Sequence, residues 1–179
     1  GGRLHASLTG VHYTAYGHLL ASPVDLPVLP AATGTSGEAA PHITISWTDC
    51  PAPAAVWDAD DAAGSNDGRH AGREADEPWL RVGRGAGGFV LQFGQRVSFW
   101  VSSDASRIVV HEAARVSDAV QHLLVDQVVP LALAHRGALV LHGGGALIDG
   151  HAVALFGPSG TGKSTLTASL AECGSGVLA

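Results

Sequence analysis

Lysine is almost missing from this chain. Ten residues are basic, nine of them arginine, and the single lysine is Lys163. Methionine is absent altogether, cysteine occurs twice, and only 15% of residues are charged. Each shortage excludes something. Cys50 and Cys173 are far apart and neither sits in a C-x-x-C pair, so neither a zinc site nor a disulfide framework is indicated, and both read as ordinary thiols. No apolar run approaches the roughly twenty residues of a membrane span, and no basic-then-apolar leader opens the sequence. The expectation is a cytoplasmic protein with no membrane partner. Basic residues are outnumbered, leaving a net charge of −6, which argues against a nucleic-acid partner. Trp47, Trp57, Trp79 and Trp100 accordingly read as core or linker anchors rather than a platform for stacked bases. The chain opens on Gly1-Gly2 and stops at Gly176-Val177-Leu178-Ala179, inside a strand-like run, so it reads as a piece of a longer protein at both ends.

What is present suffices for a folded chain: 179 residues that are 46% hydrophobic can build one ordinary core or two small ones. The acidity is local. Between Asp58 and Glu77 lie seven acids against Arg69 and Arg73, five of the six net negative charges. That stretch lies within residues 51–78, rich in Ala, Asp, Gly and Pro, which read as a flexible acidic linker.

The rest of the first half is β-like. His12 to Leu20 alternates as a strand and is followed by Pro23, Pro27 and Pro30. His42 to Thr48 alternates again. Trp79 to Val82, Phe89 to Phe93, Val97 to Ser102 and Ile108 to His111 are short runs that predict an antiparallel meander. Trp100 falls on one face of its strand, with Val97, Phe99 and Val101 on the other. From Ser117 the period becomes helical: Ser117 is the N-cap, Val120, Leu123, Leu124, Val128 and Leu131 share a face, Pro130 should kink the helix, and Gly137 should end it. Ala138 to His142 and Ala146 to Ile148 then read as strands, and Asp149-Gly150 as a two-residue hairpin turn. The expected division is a β-rich N-terminal domain over residues 1–112 and a nucleotide-binding domain over 113–179, α/β in class and α+β overall.

The lone lysine belongs to the most informative motif. Gly157-Pro158-Ser159-Gly160-Thr161-Gly162-Lys163-Ser164 is a full G-x-x-x-x-G-K-[ST] phosphate-binding loop. Gly157, Gly160 and Gly162 let the backbone turn its N–H groups toward phosphate oxygens, and Pro158 removes one donor and stiffens the way in. Lys163 supplies a compact ammonium for the β- and γ-phosphates, where arginine's planar fork would not serve. Ser164 would ligate Mg²⁺, Thr165 would sit near the α-phosphate, and the helix N-terminus beneath adds partial positive charge. The flanks suit the motif, with the apolar run Ala152 to Phe156 before it as a buried strand. Lys163 to Cys173 follows as a helix carrying Leu166, Leu170 and Ala171. A nucleoside triphosphate is the expected ligand.

The order of these pieces resembles the HPr kinase/phosphorylase family and its bacterial relatives. The similar segments are Tyr13-Thr14-Ala15-Tyr16-Gly17 before a proline-rich turn, the amphipathic helix, Leu141-His142-Gly143-Gly144, the Asp149-Gly150 hairpin and Phe156 through Leu166. The match is specific from about Ser117 to Ala179 and looser over residues 1–112, where the characterised kinases carry a different domain. The resemblance implies a P-loop kinase fold akin to phosphoenolpyruvate carboxykinase, ATP with Mg²⁺, and transfer of the γ-phosphoryl group to a serine of a protein or peptide, either HPr or a ribosomally made peptide precursor. It also implies a supporting role in acid–base chemistry for His142, fifteen residues before Gly157. The family's catalytic Asp-Asp pair follows the strand after the loop helix, where this sequence stops, so the expectation is phosphate binding without transfer.

Two other readings stay open. The loop also looks like that of transporter ATPases, although those usually place it near the start of their domain, and a non-catalytic nucleotide sensor would need nothing beyond it. The N-terminal half carries no binding motif; docking a partner, closing over the nucleotide and forming a homo-oligomer interface are all open roles for it.

Overall fold

Alternating apolar residues in the first half build one large sheet. The computed structural model describes residues 10–32, 40–57, 79–94, 97–111, 117–141, 143–158, 160–174 and 176–178. They belong to two compact units, Gly1–Leu139 and Val140–Ala179. The protein is thus a mixed α/β molecule, mostly strand.

In the first unit the strands are β1 (Val11–Ala15), β2 (His18–Ser22), β3 (Ile43–Thr48), β4 (Ala55–Trp57), β5 (Leu80–Gly85), β6 (Gly88–Phe93), β7 (Val97–Ser102) and β8 (Arg107–His111). They form one sheet in the order β1-β2-β3-β8-β7-β6-β5-β4. The predicted meander is present as the antiparallel run β5 to β8. Strand β3 joins it to the leading hairpin through parallel pairs on both of its sides.

Two sequence expectations are corrected here. His12 to Leu20 is a hairpin rather than one strand, because Tyr16 and Gly17 both adopt positive φ and reverse the chain. Part of the expected linker, Ala55–Trp57, is an edge strand on β5. Its Trp57 ring lies over Gly83, where an added Cβ would meet Trp57 Cε3 at 2.7 Å. The acids from Asp58 to Glu77 lie outside the described residues.

One face of the sheet is covered by helix. Ser117 caps it as expected, accepting from the Val120 N–H. The helix runs as α1 (Asp118–Leu123), a π-turn (Leu124–Val128) and α2 (Val129–His135), and Gly137 at φ 88° follows its end. Pro130 explains the π-turn: with no N–H to give and a ring that crowds the preceding turn, it cannot continue α geometry, and the chain admits one extra residue. The extra residue shifts the inward face by one position. Leu131, expected inside, is 36% exposed, whereas Val129, Ala132 and Leu133 are buried.

The core of this unit joins Val120, Leu124 and Val128 to Ile45, Leu91, Phe99, Ile108 and Val110. Each such side chain contributes roughly 1.5–3 kcal/mol by leaving water. Trp47 and Trp79 pack against this core. The helix expected to lead the nucleotide-binding half therefore has its apolar face in the first unit, and the compact units part after it, between Leu139 and Val140.

The second unit holds β9 (Gly144–Ile148), β10 (His151–Leu155), α3 (Lys163–Glu172) and β11 (Gly176–Leu178). β9 is central, with β10 and β11 antiparallel on either side. Asp149 and Gly150 form the expected turn, at φ 49° and 77°. The described residues 138–141 form no strand, and Leu139 is 85% exposed. β10 was expected to be buried. Instead His151 to Ala154 are exposed, because β10 is an edge of the three-stranded sheet and, among the described residues of this unit, α3 packs against β9 and β11.

Candidate phosphate-binding loop

A strand, a glycine-rich loop and a helix follow one another in the second unit. β10 ends at Leu155, the loop runs from Phe156, and α3 starts at Lys163. The three loop glycines take conformations that side chains avoid: φ is 156° at Gly157, 82° at Gly160 and 87° at Gly162. Gly162 is the residue that caps α3, in the left-handed region and with no side-chain hydrogen bond to the first turn. The opening N–H groups of the helix consequently have no acceptor within it. No acidic residue occupies the first turn, so the helix dipole there is not offset by a carboxylate. The first intrahelical bond given from outside the opening turn is that of the Leu166 N–H to Gly162 O, at 2.8 Å.

The loop is braced from within. Thr161 Oγ1 donates to Pro158 O at 2.8 Å, which draws the middle of the loop onto its start. Lys163 Nζ reaches back over the loop and donates to Gly157 O at 2.7 Å and Pro158 O at 2.8 Å. An ammonium held at the mouth by neutral carbonyls has room for a stronger, anionic partner. Ser164 and Thr165 lie exposed in the first turn of α3. Among the described residues no group of three or more His, Cys, Asp or Glu side chains is arranged to hold a metal ion. With the opening N–H groups of α3 and one ammonium beside them, the loop has the chemistry to meet an anion.

Of the residues singled out from sequence, Gly157, Pro158, Gly160, Thr161, Gly162, Lys163, Ser164 and Thr165 lie together on this loop and the start of α3. Ser159 and His142 lie outside the described residues. Two supporting residues were not picked out. Thr167 Oγ1 donates to Lys163 O at 3.0 Å, and Gly144 of β9 sits so close to it that an added Cβ would run into that oxygen. The run Gly143-Gly144-Gly145 was the available signal, since successive small residues let a helix approach a strand.

No family model matches the chain, and no curated protein or solved structure matches it. Among the described residues no helix is long and apolar enough to cross a membrane. Cys50 and Cys173 are free thiols.

Proposed function

We propose that this chain binds ATP with Mg²⁺ on residues 157–165, as part of a protein-serine kinase of the HPr kinase/phosphorylase-like type. Its fold would be that of a P-loop kinase akin to phosphoenolpyruvate carboxykinase. The observation that carries the reading is the join of β10, three positive-φ glycines and a helix that opens on the only lysine. In this reading Lys163 leaves the Gly157 and Pro158 carbonyls for the β- and γ-phosphates, and the amides of residues 160–165 point at phosphate oxygens. Ser164 Oγ takes one position on Mg²⁺, the remainder being filled by phosphate and water oxygens. The bound ion would draw charge from the γ-phosphoryl group as it moves to a serine hydroxyl. His142 would support the acid–base group, and the acceptor would be a serine of HPr or of a ribosomally made peptide precursor.

Fluorescent ATP titrated into the purified chain, with and without Mg²⁺, tests the first step. Saturable binding that Lys163→Ala weakens at least tenfold supports the reading, and absence of saturation overturns it. Transfer of labelled γ-phosphate to a serine acceptor tests the second. Binding without transfer in the intact protein would leave a transporter-type ATPase or a nucleotide sensor, which ATP turnover separates.

A further inference from the structure

Pro158 is an awkward member of a loop suited to an anion. Proline has no N–H, so its backbone offers only a carbonyl, and a carbonyl oxygen aimed at a phosphate repels it. The loop glycines have no such difficulty, because each carries an amide that the backbone can turn inward. How well the loop takes a negative ligand therefore depends on where Pro158 O is held.

Two side chains hold that oxygen. Thr161 Oγ1 donates to it at 2.8 Å, with the Thr161 N–H more distant at 3.4 Å, and Lys163 Nζ donates to it at 2.8 Å. The same Thr161 oxygen lies against the start of the loop, where a Cβ added to Gly157 would stand 3.2 Å from it. The two close donors differ in charge. Lys163 Nζ is a cation, and a phosphate oxygen draws it away because an anion is a stronger acceptor than a neutral carbonyl. The Thr161 hydroxyl is neutral and bonds only three residues back along the chain, so the arrival of an anion gives it little reason to leave.

We propose, on the reading that residues 157–165 bind ATP, that Thr161 is a positioning residue for the triphosphate. Its hydroxyl keeps Pro158 O turned into the loop after Lys163 has left it, so that residue 158 presents no free carbonyl to the ligand. Without that hydroxyl the nucleotide-free chain loses little, because Lys163 still holds Pro158 O. The bound chain loses more, because the oxygen then keeps only the N–H at 3.4 Å. The difference between the two states is read as weaker binding.

The test titrates fluorescent ATP with Mg²⁺ into the purified parent chain, Thr161→Val and Thr161→Ser, with circular dichroism to check that each is folded. Thr161→Val keeps the shape without the donor and should bind about fivefold more weakly, the worth of one hydrogen bond. Thr161→Ser keeps the donor and should bind as the parent does. Thr161→Ala replaces the valine variant should the latter be unfolded. In the absence of nucleotide, acylation of Lys163 by an N-hydroxysuccinimide ester should be no faster in Thr161→Val than in the parent, because the ammonium still holds both carbonyls. The proposal fails if Thr161→Val binds as tightly as the parent, or if Thr161→Ser binds as weakly as Thr161→Val. It fails equally if Lys163 of nucleotide-free Thr161→Val is acylated faster, since the hydroxyl would then only stiffen the loop. A parent chain that does not bind ATP overturns the nucleotide reading and this proposal with it, whereas a parent that binds and a valine variant that matches it overturn this proposal alone.

Discussion

The Tyr16 hydroxyl donates to the backbone carbonyl of Val125, 109 residues away in sequence, at 3.1 Å. That carbonyl has lost its helical donors. In α geometry it would receive the Val129 N–H, but this N–H goes to Leu124 O. In π geometry it would receive the N–H of residue 130, which is Pro130 and has none. The hairpin tip thus satisfies the acceptor that the proline and the π-turn leave bare.

Tyr16→Phe should therefore destabilise the first unit by about 1 kcal/mol, the ordinary net worth of one hydrogen bond. In a Pro130→Ala background an N–H returns to position 130 and the cost should shrink by roughly half a kcal/mol or more. Urea denaturation of the four-member cycle measures the coupling. Strict additivity would show that the two residues do not communicate.

Alkaline pH should expose the same contact. The chain has two tyrosines, and burial raises the pKa of both, with Asp25 adding to the effect at Tyr13 and Asp126 at Tyr16. A folded pKa above the unfolded value of about 10 gives stability that is complete below that pH and declines as pH rises through the folded value. Absorbance at 295 nm should show no tyrosine ionising at its ordinary pH while the sheet is intact. A full step near pH 10 in folded protein would contradict this.

At the acid end the informative group is Asp104, between β7 and β8. It accepts from Ser102 Oγ at 2.6 Å, Ser106 Oγ at 2.8 Å and the Ser106 N–H at 3.2 Å. The Ser102 bond, then the Ser106 bonds, hold its carboxyl well below the usual carboxylate range. The contribution is present above the unfolded pKa of about 3.9 and is lost as pH falls toward the folded one. Asp104→Asn should lower the melting temperature at pH 7 and flatten its fall below pH 4.

In the second unit, Gly144→Ala should loosen α3 from β9, since the new methyl meets Thr167 Oγ1. The double variant with Thr167→Ala should recover part of the loss. Hydrogen exchange of the α3 amides reads both. Gly162→Ala should cost about 1–2 kcal/mol in the same measurement, because a side chain is strained at φ 87°.

Local signals carried far into this fold, and tertiary ones did not. The Ser117 cap, the Gly137 stop and the Asp149-Gly150 turn each depend on one or two residues, and each was legible. The hairpin at Tyr16-Gly17 was not, because tyrosine seldom adopts positive φ, and its hydroxyl finds a partner only in a helix a hundred residues on. Leu131 was misplaced because periodicity assumes an unbroken α repeat, and Pro130 broke it. Within the loop, glycine spacing and Lys163 were evident from sequence, whereas the Thr167 bond and the Gly144 approach exist only once α3 meets β9. That Gln92 stands opposite Ser98, and Ser98 opposite His111, is set by register between strands, which no single strand encodes.

Because the ammonium held by Gly157 O and Pro158 O is the protein's only side-chain amine, the chain carries its own chemical reporter. An acylating ester has a single lysine to find. The rate at which that one adduct forms, followed by mass spectrometry, reads directly whether the amine is clasped by its own backbone, shielded by a triphosphate, or free.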